Sequence, residues 1–111
     1  MTPRKFARLA KLVFSKGIPG TIPSGWHKVD DSWYDRYNET TLFSMDSAYR
    51  ESILYVWASW LMKEHGLVAT TDGTTWVWKD QESVLVEEDS REDAICHAVC
   101  LKTEMDWASL S

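Results

Sequence analysis

Cysteine is scarce in this chain. Its 111 residues hold two, Cys96 and Cys100, four apart in a segment patterned as helix, where a disulfide would distort the helix geometry. That spacing argues against a disulfide framework and for free thiols in a reducing compartment. Long apolar runs are also missing: nothing approaches the roughly 18 consecutive apolar residues of a membrane-spanning helix. The basic N-terminus leads into an apolar run that Lys11 interrupts, with no small-residue cleavage site behind it, so no secretory signal is expected. The five glycines form neither a phosphate-binding loop nor a Gly-x-Ser-x-Gly elbow, and there is no His-Glu-x-x-His helix. Together these absences give the expectation of a soluble, cytoplasmic protein that is not an enzyme and needs no cofactor.

Tryptophan, by contrast, is abundant. Seven are present, against a usual frequency of about one per hundred residues. The remaining composition, 44% hydrophobic and 26% charged, is ordinary for a globular chain of one domain, residues 1–111. A core of this size holds about four or five such rings, which leaves other Trp faces exposed, where they favour partner interfaces. The competing reading is a small core filled with bulky rings. Charge is also uneven. Residues 1–16 carry Arg4, Lys5, Arg8, Lys11 and Lys16 with no acid, whereas the other seven basic and seventeen acidic residues make the rest of the chain strongly negative within a total of −5. Such asymmetry steers partners or lays a basic helix on an acidic body, and the second is the simpler reading.

Apolar spacing predicts a basic amphipathic helix over 3–16, with Phe6, Leu9, Ala10, Val13 and Phe14 on one face, Thr2 as cap and Gly17 as stop. Residues 17–25, with two Ile-Pro pairs, make an extended connector. Residues 26–37 have four aromatics, one His and three Asp with no clean period, so 17–45 reads as an irregular aromatic and acidic segment, with a short strand over 39–43. The central helix spans 46–65, capped by Asp46 and Gly66. Tyr49, Ile53, Val56, Trp57 and Trp60 recur at helical spacing, and Tyr55, Ala58 and Met62 extend the apolar surface until the helix reads as covered on most sides. Asp72-Gly73 between two β-rich runs predicts a tight hairpin with a primed turn, and 67–88 becomes a three-stranded meander. Trp76 and Trp78 then share the face that should meet the central helix. Ser90 with Asp93 opens a closing helix over 90–106. The expected class is α+β, three helices packed on one small antiparallel sheet of three to four strands.

Several groupings bear on chemistry. Cys96, His97 and Cys100, with His27 and His65, suggest zinc, but the short Cys-x-x-Cys knuckle of structural sites is absent, and buried thiols are the commoner reading. His27 with Asp30, Asp31 and Asp35 is the one local hydrolytic grouping, and its spacing matches no motif. Asn38-Glu39-Thr40 matches a glycosylation sequon without meaning in a cytosolic chain. The basic first helix suits a membrane surface or nucleic acid, yet the acidic body repels phosphate and argues against nucleic acid. That body, through Asp30, Asp31, Asp35, Glu39, Glu87, Glu88 and Asp89, could instead mimic nucleic acid on a basic partner.

At Asp72-Gly73 and at Ser90-Arg91-Glu92-Asp93-Ala94-Ile95-Cys96-His97-Ala98 the chain resembles small bacteriophage proteins of the phage ABA-sandwich type. In those, a helix leads into a short aromatic-rich sheet and then into a closing helix that opens with acids followed by Ala-Ile-Cys. The likeness covers 46–105 and implies a phage or prophage origin, with no catalytic residues to carry over. The expected function is therefore a non-enzymatic phage-type accessory protein, acting in the bacterial cytoplasm. It would bind and modulate a host or defence protein through Trp26, Asp30, Asp31, Trp33, Tyr34 and Asp35. The alternatives are a small-molecule or nucleotide binder, with its pocket between the sheet Trp residues and the irregular segment, or a nucleic-acid binder led by the first helix.

Overall fold

The computed structural model describes residues 1–37 and 40–110. Asn38 and Glu39 lie outside the described residues, and with them the sequon and Glu39 as a candidate acid. Element order is α1 (Pro3–Lys16), β1 (Trp26–Val29), β2 (Ser32–Asp35), β3 (Thr40–Thr41), α2 (Ser47–His65), β4 (Val68–Thr71), β5 (Trp76–Asp80), β6 (Ser83–Glu88) and α3 (Arg91–Lys102), followed by a 3-10 turn at Trp107–Leu110. The α+β class holds, but the strands form two three-stranded antiparallel sheets, β1-β2-β3 and β4-β5-β6, rather than one.

Helix α1 begins and ends where its caps require. The Thr2 side chain accepts from the Lys5 amide at 3.1 Å, and Gly17 closes the helix in the left-handed region at φ 66°. All five residues of its expected apolar face are buried, and Arg4, Arg8 and Lys11 are exposed. In α2 the Asp46 carboxylate accepts from the Ala48 and Tyr49 amides. Trp57, fully buried, is the hub: Phe6 lies 5.5 Å and Phe14 6.4 Å from it between ring centroids, and its Nε1 donates to the Thr21 carbonyl at 2.8 Å. That bond pins the connector to the core. The helix is less enclosed than its apolar spacing suggests, because Tyr55 (69%) and Met62 (49%) face solvent.

Helix α3 is shorter than the expected 90–106. Ser90 accepts from the Asp93 amide at 3.1 Å and opens it. The hydroxyl of Thr103 donates back to the Val99 carbonyl at 2.7 Å, and Glu104 takes a positive φ of 60°, so the chain leaves the helix before Met105. Ile95, Cys96, Ala98, Val99 and Cys100 are buried. The second sheet packs chiefly on this helix, with Trp78 and Val86 inward, so α3 takes the role expected of α2. Between α2 and α3 run two ion pairs, Arg50 with Glu92 (3.2 Å) and Arg91 with Glu51 (2.9 Å). Half-exposed pairs of this kind contribute about 0 to 1 kcal/mol, against about 1.5 to 3 kcal/mol for each large apolar side chain fully buried. Ring packing therefore dominates, in one contiguous core fed by all three helices and both sheets.

The Asp-Gly turn also differs from expectation. Thr71 pairs with Trp76, so the β4–β5 connection has four residues and is not a two-residue primed turn. Asp72 explains the longer loop: its carboxylate accepts from the amides of Thr74 (2.9 Å) and Thr75 (2.8 Å) and from both hydroxyls. A side chain that gathers the following backbone in this way replaces the tighter turn. The Thr75 amide, then the Thr74 amide and the two hydroxyls, hold its carboxyl below the usual carboxylate range.

Candidate binding surface

The segment 26–37 is a hairpin, not an irregular loop. Gly25, at φ 97°, leads into it, and a Cβ there would lie 2.7 Å from the Tyr37 ring and 3.2 Å from Asp35 Oδ1, so glycine is needed for the close approach. Trp26 pairs with Asp35, His27 with Tyr34, Lys28 with Trp33 and Val29 with Ser32. Asp30 and Asp31 form the connection, Asp30 in the left-handed region at φ 54°, which aspartate tolerates better than most residues.

Strand alternation divides the side chains between two faces. Trp26, Lys28, Trp33 and Asp35 share one, and Phe14 of α1 receives both indoles, Trp26 at 5.9 Å and Trp33 at 5.3 Å. Trp26 is buried and also meets Tyr49 at 6.3 Å. Trp33 is half-buried, and its Nε1 is an interior donor with no partner among the described residues. Asp35 is buried, with Oδ1 accepting from the Tyr37 amide at 3.0 Å. The other face carries His27, Val29, Ser32 and Tyr34. Here the His27 and Tyr34 rings lie 6.4 Å apart, and an open depression of about 430 Å³ is lined by His27, Val29, Tyr34, Asp35 and Arg36. Arg36 sits 5.4 Å over the Tyr37 ring, itself 70% exposed.

The six residues expected to touch a partner are thus not one patch. Asp30 and Asp31 stand exposed at the tip, and Tyr34 lies half-buried on the outer face. Trp26 turns inward against Phe14 and offers little surface, and Asp35, though buried, lines the depression with His27. His27, Val29, Arg36 and Tyr37 were not among the expected contacts, and no apolar alternation along 26–37 marks the strands that present them.

The other groupings also separate. His27 sits near the open end of the hairpin and Asp30 and Asp31 at its tip, roughly 10 Å apart at the rise of a strand, while Asp35 lines the same depression as His27. Cys96 and Cys100 are buried, and burial raises both thiols, Cys96 well above its ordinary value and Cys100 to about 11, which keeps them protonated. His97 binds the Glu88 carboxylate at 3.2 Å and stacks on Trp107 at 5.1 Å. Among the described residues no three His, Cys, Asp or Glu side chains gather as a metal site, and no helix is long and apolar enough to cross a membrane.

Scans against protein-family models, curated proteins and solved structures each found no match. The likeness to the phage ABA-sandwich type rests on the residues quoted for it.

Proposed function

We propose that this chain is a non-enzymatic binding protein that engages and modulates a bacterial host or defence protein through the outer face and tip of the β1–β2 hairpin. One observation supports this above others: Trp26 and Trp33 clamp the hairpin to Phe14, while the opposite face holds His27, Val29 and Arg36 open to solvent around a half-buried Tyr34, beside Tyr37. Rigid rings presented on an anchored strand give contact area at low entropic cost. Asp30 and Asp31 add charge at the tip, where they steer a basic partner and fix its register. A bacterial target, and modulation as the outcome, follow from the phage-type resemblance.

The test is affinity capture from bacterial lysate with the tagged chain, with and without nuclease, read by mass spectrometry. The expected result is one stoichiometric protein that survives nuclease and is lost with Tyr34→Ala plus Asp31→Ala, both of which leave the inward rings in place. Capture unaffected by that pair of substitutions would remove the surface from consideration. The depression of about 430 Å³ also supports a second reading, a small aromatic or anionic ligand held by Tyr34, His27 and Arg36. It lies on the first hairpin and not beside Trp76 and Trp78. A thermal-shift screen against nucleotides separates the readings, since a ligand at a hundred times its dissociation constant stabilises by about 2.7 kcal/mol.

A further inference from the structure

Most depressions in this surface set an acid beside their cations. Asp35 lines the one with His27 and Arg36, Asp31 the one with Lys11, Glu64 the one with Lys63, and Glu104 the one with Lys16 and Lys102. One depression of about 360 Å³ differs. It lies between the first turn of α1 and the start of α2, lined by Pro3, Arg4, Leu42, Phe43, Met45 and Arg50, and among the described residues no carboxylate joins the two guanidinium groups.

Local sequence builds this site. Between β3 and α2 the Ser44 amide donates to the Thr41 carbonyl at 3.2 Å, and the two hydroxyls lie 2.7 Å apart. Within that turn Leu42 enters the core and the Phe43 ring stays 58% exposed. Arg4 stands on the exposed face of α1 and has no ion-pair partner among the described residues. Arg50 lies in the first turn of α2, where its Nε meets Glu92 at 3.2 Å, while its terminal nitrogens have no partner among the described residues. Two cations that line one depression repel each other, and an anion seated between them relieves the repulsion.

We infer that this depression binds a small organic carboxylate with an apolar or aromatic body. A concave, mostly apolar site with a few convergent polar groups is the usual form of a small-molecule pocket. Guanidinium forks donate to a carboxylate in a bidentate geometry that fixes its orientation. Glu92 neutralises one of the two arginines, and the single positive charge that remains matches a monocarboxylate better than a phosphate dianion. Phe43, Leu42, Met45 and Pro3 supply the wall for the body of the ligand. The site shares no residue with the outer face of the β1–β2 hairpin, so it does not depend on the partner surface proposed above.

The test is an amide-shift titration of the intact chain with phenylacetate as the probe, up to about 20 mM. The expected result is saturable binding with a dissociation constant on the order of 1 mM, with the shifts concentrated at Arg4, Leu42, Phe43, Met45 and Arg50. Acetate lacks the ring and phenylacetamide lacks the charge, and each should bind at least about tenfold more weakly. Arg4→Gln, at an exposed position, should weaken phenylacetate by a similar factor. No saturation, shifts centred elsewhere, phenylacetamide binding as well as phenylacetate, or affinity unchanged by Arg4→Gln would each overturn the inference. Tighter binding of phenyl phosphate would overturn the assignment to a monocarboxylate. The acetate and phenylacetamide arms use the unmodified chain, so they decide the matter even if the variant fails to fold.

Discussion

The two sheets have the same number of strands and antiparallel order, yet they meet the core and the solvent differently. The first buries aromatic rings, Trp26 and Trp33, against Phe14 of α1, and shows solvent a mixed face of His27, Val29 and Tyr34. The second buries Trp78 and Val86 against α3 and shows solvent a face of Val68, Thr70, Val77 and Val84 with Lys79 and Glu87 among them. Their turns differ as well: two residues with Asp30 left-handed in the first, four residues gathered around the Asp72 carboxylate in the second. A face of rings on an anchored hairpin suits recognition of another molecule, whereas the second sheet sets β-branched side chains between a lysine and a glutamate.

The sharpest way to break the comparison is Phe14→Ala. It removes the ring that both Trp26 and Trp33 rest on, and should cost about 3 to 5 kcal/mol in urea unfolding, with loss of near-ultraviolet ellipticity from the first hairpin. A cost under about 1 kcal/mol would mean that the hairpin is anchored elsewhere. Val86→Ala, the counterpart under the second sheet, should cost about 2 kcal/mol by the same measurement. Asp30→Val places a β-branched residue at a φ of 54°, and should cost about 1 to 2 kcal/mol, while a valine at exposed Asp31 should cost less. The smallest effect concerns acid. Asp72 has a carboxyl depressed below its ordinary 3.8, so its contribution is complete above that value and is lost as pH falls through the folded value. The amide shifts of Thr74 and Thr75 should follow this loss, and Asp72→Ala should abolish the dependence without moving the first hairpin.

Capped, periodic elements were legible in the sequence. Thr2, Pro3 and Gly17 bound α1, Asp46 and Gly66 bound α2, and the alternation around Trp76–Trp78 and Val84–Val86 marked β5 and β6. The first sheet was not legible, for two physical reasons. Its aromatics are amphipathic and occupy both faces, and neither hydrophobicity nor burial alternates cleanly along β1 and β2. Its turn uses Asp30-Asp31, which lacks the glycine that usually marks a left-handed position. The expected contact residues inherited that error: Trp26 and Asp35 share a strand pair and are both buried, which a loop reading had no means to assign. Asp72-Gly73 misled in the opposite direction, since the dipeptide signals a primed turn but the Asp72 side chain found two threonines to hold instead.

Trp57 bonds to Thr21 across 36 positions of sequence, and this has a kinetic meaning. The bond joins the connector to α2 only when the two have come together, so it reports the assembled core. Once formed, the bond is enclosed by Phe6, Phe14 and the fully buried Thr21. Local fraying cannot expose its proton, and the Trp57 indole should therefore be among the last hydrogens in the molecule to exchange with solvent, an internal clock for global unfolding.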